Sequence, residues 1–579
     1  MHYPVPHEIW LHIAHYLPAT NLCKLISLNS TFFELAMDCR YRQISFTYLN
    51  DHTLKSLIRL QDPAVARRVR ILHVYPGFLK EVAERELRAP QPNNCLQVFK
   101  DAVKQLRPGK RKKSPLSRAF RSSEDITNIL LQVLRGLPNV TDYYIVWCGL
   151  PPISRSPVPF LTAVLQSRLR KLSLEISLEN IETLLGPAFA IPNLEELEVV
   201  VRIDEIRSPA NQERIMFNHL GPAISCLHPT LHTLSIQAWE PLDISPLFAS
   251  IQSIPSLRTL AISIPTTLPH LGNPKGLRNF LNRHSSSLQE LTLRASQYGG
   301  VGMTPDGVSM DHWIREAISD AELPHLHVLD ISSGLFPLAT SIQCLTRFSR
   351  TISSLALTGR YHSLDDVALA LNTMDGRPEH KRLHTLRLGP VSLTPQLMDL
   401  LAEKLPYIQR LELLVREVLP EDGAPALYWY DDSSDCGGSS SQGQVDYQIE
   451  EFCTAMDDRI YPQWRLKSIL ISIASLPDKL QYEAELMECL WKVLPVSFKD
   501  VKTGAGTVGG RVWLSTPEEF GLAVATLFWT SNLDYMRIYG ILASLGVEWM
   551  SVYEVWRVDD DQRTGMGMGT GTFPLPDLD

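Results

Sequence analysis

Leu169-Arg170-Lys171-Leu172-Ser173-Leu174 is followed 25 residues later by Leu194-Glu195-Glu196-Leu197-Glu198-Val199. Both hexamers place apolar residues at positions one, four and six. Alternation over the last three residues is the mark of a short β-strand with one face buried. The pattern recurs along most of the chain. Upstream it starts at Val69 and Val140; downstream it starts at Leu231, Leu257, Leu288, Leu326, Ile352, Leu383, Ile408 and Leu466. From Leu169 to Ile408 the intervals run 25, 37, 26, 31, 38, 26, 31 and 25 residues.

Between the hexamers lie stretches of helical periodicity. Ile126, Ile129, Leu130, Val133 and Leu134 precede Val140, and Leu397, Leu400, Leu401 and Leu405 precede Ile408. A strand, a loop and a helix every 25–38 residues is the signature of stacked repeats. The prolines support this spacing. Pro138, Pro192, Pro229, Pro255, Pro324 and Pro406 each stand two residues before a hexamer, where proline stops a helix and favours extended backbone. The fold class expected is α/β: a three-helix N-terminal unit, then an irregular solenoid with a curved parallel sheet and outer helices.

Composition sets the outer limits. The 579 residues are 44% hydrophobic and 20% charged, which excludes wholesale disorder. A length/150 rule of thumb suggests about four domains, but the repeat replaces that count with one elongated body. The net charge of −8 argues against a nucleic-acid coat. Phe520–Trp529, the longest clean apolar run near the C-terminus, is about half of what a bilayer helix needs. The first residues lack the pattern of a signal peptide, and nine scattered cysteines without a CxxC fit reduced thiols in cytosol or nucleus.

The expected organisation is a helical unit at 1–50, a connecting repeat at 51–87, a basic insertion at 88–123 and repeats over 124–478. An aromatic-rich C-terminal cap at 479–557 and a tail at 558–579 complete it. Residues 100–121 hold nine Lys/Arg against Asp101, including Lys110-Arg111-Lys112-Lys113, and could be an import or phosphate-binding patch. Residues 417–446, with seven acids, no Lys or Arg and a Gly/Ser run, are expected to be poorly ordered, as are 88–123 and the tail. The basic and acidic segments could tether each other.

The N-terminus resembles an F-box. The residues that carry the resemblance are Val5-Pro6-His7-Glu8-Ile9, Ile13, Leu17-Pro18, Leu22, Leu25, Leu28 and Phe32, then Arg40-Tyr41-Arg42-Gln43-Ile44. Val5 stands where the family usually has leucine, and Phe32 where tryptophan is frequent. The resemblance implies a Skp-family adaptor and a cullin complex as partners. Val5, Pro6, Ile9, Ile13, Leu17, Leu22, Leu25 and Leu28 would then form the adaptor-docking face and its small core. Alternatively, these residues only pack a cap on the solenoid. The body resembles leucine-rich repeats, which follow an F-box in one class of substrate receptors of ubiquitin ligases. The family's asparagine or cysteine ladder is missing: the corresponding places hold Ser177, Arg202, Trp239, Pro265, Ser296 and Gly334.

Catalytic motifs are sparse. Gly504–Gly509 matches GxGxxG by letter, but Arg511-Val512-Trp513-Leu514 after it reads as a strand rather than the helix a phosphate site needs, so a hairpin turn or a mobile loop is expected. His232, His327 and His384 each take the second place of their own hexamer, too far apart to share an ion. The expectation is a non-catalytic protein with no cofactor or metal. The outward strand positions on the concave face are the candidate target-binding surface, with Glu175, Glu196, Glu198, Arg294, Asp330, Arg387 and Arg410 its charged members. The sequence thus points to an F-box substrate receptor that binds a protein target, or to a repeat scaffold outside ubiquitination.

Overall fold

The computed structural model describes residues 7–15, 17, 22, 24–79, 123–148, 158–164, 168–184, 191, 193–203, 208–227, 229–238, 240, 242–265, 273–296, 307–332, 338–374, 383–421, 440–473, 489–490, 506–508 and 511–515. They fall into two compact units. The first holds most of the chain up to Arg360; the second is built mainly from residues after Leu383, with Tyr361–Ala368.

In the first unit a strand that no hexamer marks, β1 (Gln43–Phe46), is followed by nine that the hexamers become: β2 (Ile71–Val74), β3 (Asp142–Trp147), β4 (Lys171–Ser177), β5 (Glu196–Arg202), β6 (Thr233–Ala238), β7 (Thr259–Pro265), β8 (Glu290–Ser296), β9 (Val328–Ser332) and β10 (Ser354–His362). Each pairs with the next in chain order, and every pair is parallel. This is the sheet of a repeat solenoid. It begins at Gln43, inside the stretch assigned to the helical unit. Apolar hexamer positions align in register, Leu172 with Leu197, Leu197 with Leu234, Leu234 with Leu260, and all are buried. Helices cover that face: Trp147 of β3 packs on Phe160 of helix Val158–Val164 at 5.0 Å, and the Tyr143 hydroxyl donates to the Phe160 carbonyl.

Three of the described prolines have a more specific role than strand-biasing breakers. Ile254-Pro255-Ser256-Leu257, Leu323-Pro324-His325-Leu326 and Leu405-Pro406-Tyr407-Ile408 are turns closed by an N–H of the fourth residue on the carbonyl of the first, at 3.1, 3.2 and 3.2 Å. Proline at the second place pre-sets the backbone of such a turn. The next two N–H groups then enter the sheet together. His232 and Thr233 both donate to the Glu195 carbonyl, Arg258 and Thr259 to that of His232, Gln289 and Glu290 to that of Arg258. A further ladder precedes the hexamer: the Thr230 hydroxyl donates to the Leu194 carbonyl and Ser256 to that of Leu231, each at 2.8 Å. These bonds tie repeat to repeat ahead of the hexamer, whereas the asparagine ladder of leucine-rich repeats stands after it.

Helix stacking follows the same repeat. Phe248 and Phe280 meet edge to face at 5.4 Å, and Phe280 lies against the His284 ring at 4.2 Å. The buried His284 accepts from the Ile254 N–H through Nε2 and donates through Nδ1 to the Phe280 carbonyl, so it is neutral; burial pushes its pKa down.

The second unit repeats the architecture with β11 (Thr385–Leu393), β12 (Arg410–Val418) and β13 (Ser468–Ile473), parallel and in chain order. A hairpin-like pair, β14 (Gly506–Val508) and β15 (Arg511–Ser515), is antiparallel, and β15 pairs antiparallel with β13. Of the GxGxxG letters only Gly506–Val508 is described, as strand β14, and the remaining ones, with the expected turn, lie outside the described residues. The acidic stretch 417–446 departs from expectation at both ends. Glu417 is a buried residue of β12 that accepts from the Ser392 hydroxyl at 2.8 Å, which in turn meets the Tyr361 hydroxyl at 2.8 Å. Residues from Ser440 onward belong to helix Ser440–Asp457. The basic segment 100–121, residues 422–439, most of 479–557 and the tail lie outside the described residues, so the tether between the two charged segments does too.

Candidate functional site

Two surfaces are built for contact. The first is the N-terminal helical unit. Helix α1 (His7–His15) meets α2 (Ser30–Tyr41) through Trp10 and Phe32, whose rings stand edge to face at 5.7 Å. Asn29 starts α2 by accepting the Phe32 N–H at 2.9 Å. Between them Leu22, Leu25 and Leu28 follow one another in turns closed three residues apart. Ala14, Leu22 and Phe32 form the core, with Leu17, Leu25 and Leu35 packed against it.

The candidate adaptor residues therefore divide. Leu22 is core, and Leu17 and Leu25 support it. Ile9 and Ile13, one turn apart on α1, are 49% and 40% exposed, and Leu28 is 56% exposed. Val5 and Pro6 lie outside the described residues. Leu11 and Phe33, outside the candidate adaptor residues, join the exposed set. Single exposed apolar residues are ordinary; five on about 25 residues of a small helical unit are not.

One side chain fastens this unit to the repeats. Arg68, just before β2, buries its guanidinium and reaches Glu34 Oε2 at 2.5 Å, Asp38 Oδ1 and the Glu34 carbonyl on α2. Its Nε also donates to the Ala64 carbonyl. The carboxylates raise its pKa, the hydrogen bond it donates to Glu34 contributing most.

The second surface is the strand face opposite the helices. Here the candidate target-binding charges are paired across strands. Arg202 lies 3.8 Å from Glu175 and 3.2 Å from Glu240, Lys171 lies 3.6 Å from Glu196, and Arg294 lies 3.3 Å from Asp330. Glu198 accepts from Gln237 Nε2 at 3.2 Å. In the second unit Arg387 meets Glu412 at 3.2 Å, and Arg410 is exposed at the start of β12. Each pair joins neighbouring repeats at close register, so the charges both decorate the face and hold it together.

Near its N-terminal edge the face turns aromatic. The His73 ring stacks on Tyr144 at 4.4 Å with planes 5° apart, and Lys171 Nζ sits 5.6 Å from the Tyr144 centroid. Burial lowers the His73 pKa to about 4. Tyr75 and Tyr48 follow β2 and β1, 40% and 71% exposed. The Tyr75 ring folds over Gly77, where a Cβ would stand 2.9 Å from it. Its phenol is pushed up by burial first, then by Cys148, Glu175 and Tyr48 close by. His73, Tyr144, Tyr48, Tyr75 and Glu240 escaped the sequence reading; the outward place of His73 and Tyr144 in their hexamers was the available signal.

His232 and His327 stand at the starts of β6 and β9, with two strands between them, and His384 precedes β11 in the second unit. Among the described residues no group of three or more His, Cys, Asp or Glu is placed to hold a metal ion, and no helix is long and apolar enough to cross a membrane.

No family model matches the chain, and no curated protein matches it. Among solved structures, a chain from the crystal structure of the Rad7 and Elc1 complex in yeast is similar over 62% of this chain and 90% of its own length. The identity is 14% and the TM-score 0.26. A likeness at this level establishes neither a shared family nor a shared activity.

Proposed function

We propose that this chain is the substrate-recognition subunit of a cullin-RING ubiquitin ligase of the SCF type. Its N-terminal helices act as an F-box that docks a Skp-family adaptor, and its leucine-rich-repeat-like body captures a protein target, in the cytoplasm, the nucleus or both. The observation that carries this reading is the set of exposed apolar side chains, Ile9, Leu11, Ile13, Leu28 and Phe33, on a helix–turn–helix unit whose own core is already closed by Ala14, Leu22 and Phe32. Apolar surface left over after folding is what an adaptor groove would remove from water, at about 25 cal/mol per Å². The chain supplies proximity and orientation, and the ubiquitin chemistry belongs to other subunits.

The test is co-purification of the full chain with a Skp-family adaptor, compared with the double variant Ile9→Asp, Ile13→Asp. Both positions are exposed, so the variant should fold and lose the adaptor. Adaptor recovery unchanged by the variant, or none with the parent chain, would refute the proposal and favour a scaffold outside ubiquitination.

A further inference from the structure

The helix-free face over β3–β6 is unevenly charged. Among its described residues five carboxylates, Asp142, Glu175, Glu196, Glu198 and Glu240, stand against two cations, Lys171 and Arg202. Each cation is shared by groups that are already negative or electron-rich, Arg202 by two glutamates and Lys171 by Glu196 and the Tyr144 ring. His73 adds no charge at neutral pH. Over β7–β10 the balance is even, with Glu290 and Asp330 against Arg294 and Arg360. Beside the acidic half stand Tyr75, near enough to Glu175 to feel its charge, and Tyr48, which acts on Tyr75 in the same way; both rings are exposed.

We propose that this half of the face is the docking surface for an extended, Lys/Arg-rich segment of a protein partner. Carboxylates in excess attract and orient cationic side chains through charge-assisted hydrogen bonds, and Arg adds bidentate geometry. The tyrosine faces receive guanidinium or ammonium groups by cation–π contact. From β1 to β6 is five inter-strand steps, roughly 24 Å at ~4.8 Å each. An extended peptide covers that distance with about seven residues, its same-side side chains ~6.8 Å apart. The partner is thus a short basic stretch crossing the strands, not a folded basic domain. The inference rests on the repeats being the target-binding body of the proposed receptor, and it is independent of adaptor docking.

The experiment is fluorescence anisotropy of the full chain with a labelled nine-residue peptide alternating Arg and Ser, against the same peptide with Glu for Arg. Binding should saturate for the Arg peptide, be absent for the Glu peptide, and weaken at least tenfold between 50 and 300 mM salt. The triple variant Glu175→Gln, Glu196→Gln, Glu198→Gln should weaken it at least tenfold. A charge-matched control at exposed positions off the strands, Glu213→Gln and Glu403→Gln on helices and Glu322→Gln in a loop, should bind as the parent does. Equal loss in both variants, or no saturable binding of the Arg peptide, overturns the proposal. So does binding that appears only after residues 100–121 are deleted, because the occupant is then the chain's own basic segment. Because adaptor co-purification is read separately, failure here leaves the F-box reading standing, and failure there leaves this binding measurable.

Discussion

Gly276 offers a test in which two physical effects predict opposite signs. It lies in the helix Lys275–Arg283 and is fully packed. A Cβ built on it would stand 2.4 Å from the Ser245 carbonyl oxygen and 3.3 Å from the Ser245 carbonyl carbon, both backbone atoms of the neighbouring repeat's helix. No rotamer change relieves that contact, so the two helices must separate. On propensity alone Gly→Ala in a helix stabilises by up to about 1 kcal/mol. Overpacking against rigid backbone costs about 1–3 kcal/mol. Near the first turn the propensity gain shrinks, and the net expectation for Gly276→Ala is a loss of about 1–2 kcal/mol. In a repeat body that loss stays local. Hydrogen exchange of the amides in Ser245–Ser250 and Lys275–Arg283 should therefore speed up by roughly 5–30-fold, while that of β3 and β4 stays as in the parent. Gly136→Ala is the control, because its nearest neighbour beyond the adjacent residues, the Val133 carbonyl, lies at 3.2 Å. It should shift local stability by less than about 0.5 kcal/mol. Protection at Gly276→Ala equal to or above that of the parent would refute the close-approach argument.

Two further predictions concern the N-terminal repeats. The unfolded chain protonates a histidine near pH 6.5, whereas His73 in the folded chain resists until about pH 4. Its contribution is therefore present above pH 6.5 and is lost as pH falls toward 4, by roughly 1–3 kcal/mol in all. His73→Gln should flatten that part of the stability profile in urea unfolding at pH 7, 6 and 5; parallel profiles for parent and variant would show that the ring does not carry the effect. Arg68→Leu removes one link between α2 and the first repeat and leaves the Arg59–Tyr41 hydrogen bond in place. Glu34 and Asp38 are more than half exposed and rehydrate, so the loss should be only about 1–2 kcal/mol. It should appear as faster exchange across Ser30–Tyr41, with Arg68→Lys recovering less than half because an ammonium lacks the fork. Unchanged exchange in that helix would leave some other contact as the fastener.

Strand positions were legible because burial on one face writes itself into alternate residues: Leu172, Leu197 and Leu234 needed no partner to be recognised. What joins the repeats was less so. The paired N–H groups on the Glu195, His232 and Arg258 carbonyls are backbone bonds, made whatever the side chain, so no residue type marks them. The three hexamer histidines look like a motif for that reason: the place is solvent-facing and tolerant. Buried His284 carried no visible signal either, since its donor and acceptor roles depend on Ile254 and Phe280, 30 and four residues away. At the N-terminus the spaced leucines were all visible, but their division into Leu22 inside and Leu28 outside depends on how α1 and α2 cross.

Parallel in-register stacking also decides which charges carry information about a partner. A side chain on the helix-free face meets its neighbours one repeat away at ~4.8 Å, so like charges in adjacent repeats repel and opposite charges pair. Folding alone thus accounts for Arg294 with Asp330 and for Arg387 with Glu412, and neither pair says anything about a ligand. It accounts equally for Lys171 with Glu196 and for Arg202 with Glu175 and Glu240, but not for the excess of five acids over two cations among the described residues of that face over β3–β6. That excess works against the sheet that bears it. Neutralising Glu198 alone should therefore leave the fold as stable as the parent or slightly more so, by up to about 0.5 kcal/mol, while weakening capture of a basic peptide. A Glu198→Gln variant that loses stability and peptide binding together would instead make the carboxylate part of the inter-repeat ladder, through its bond from Gln237.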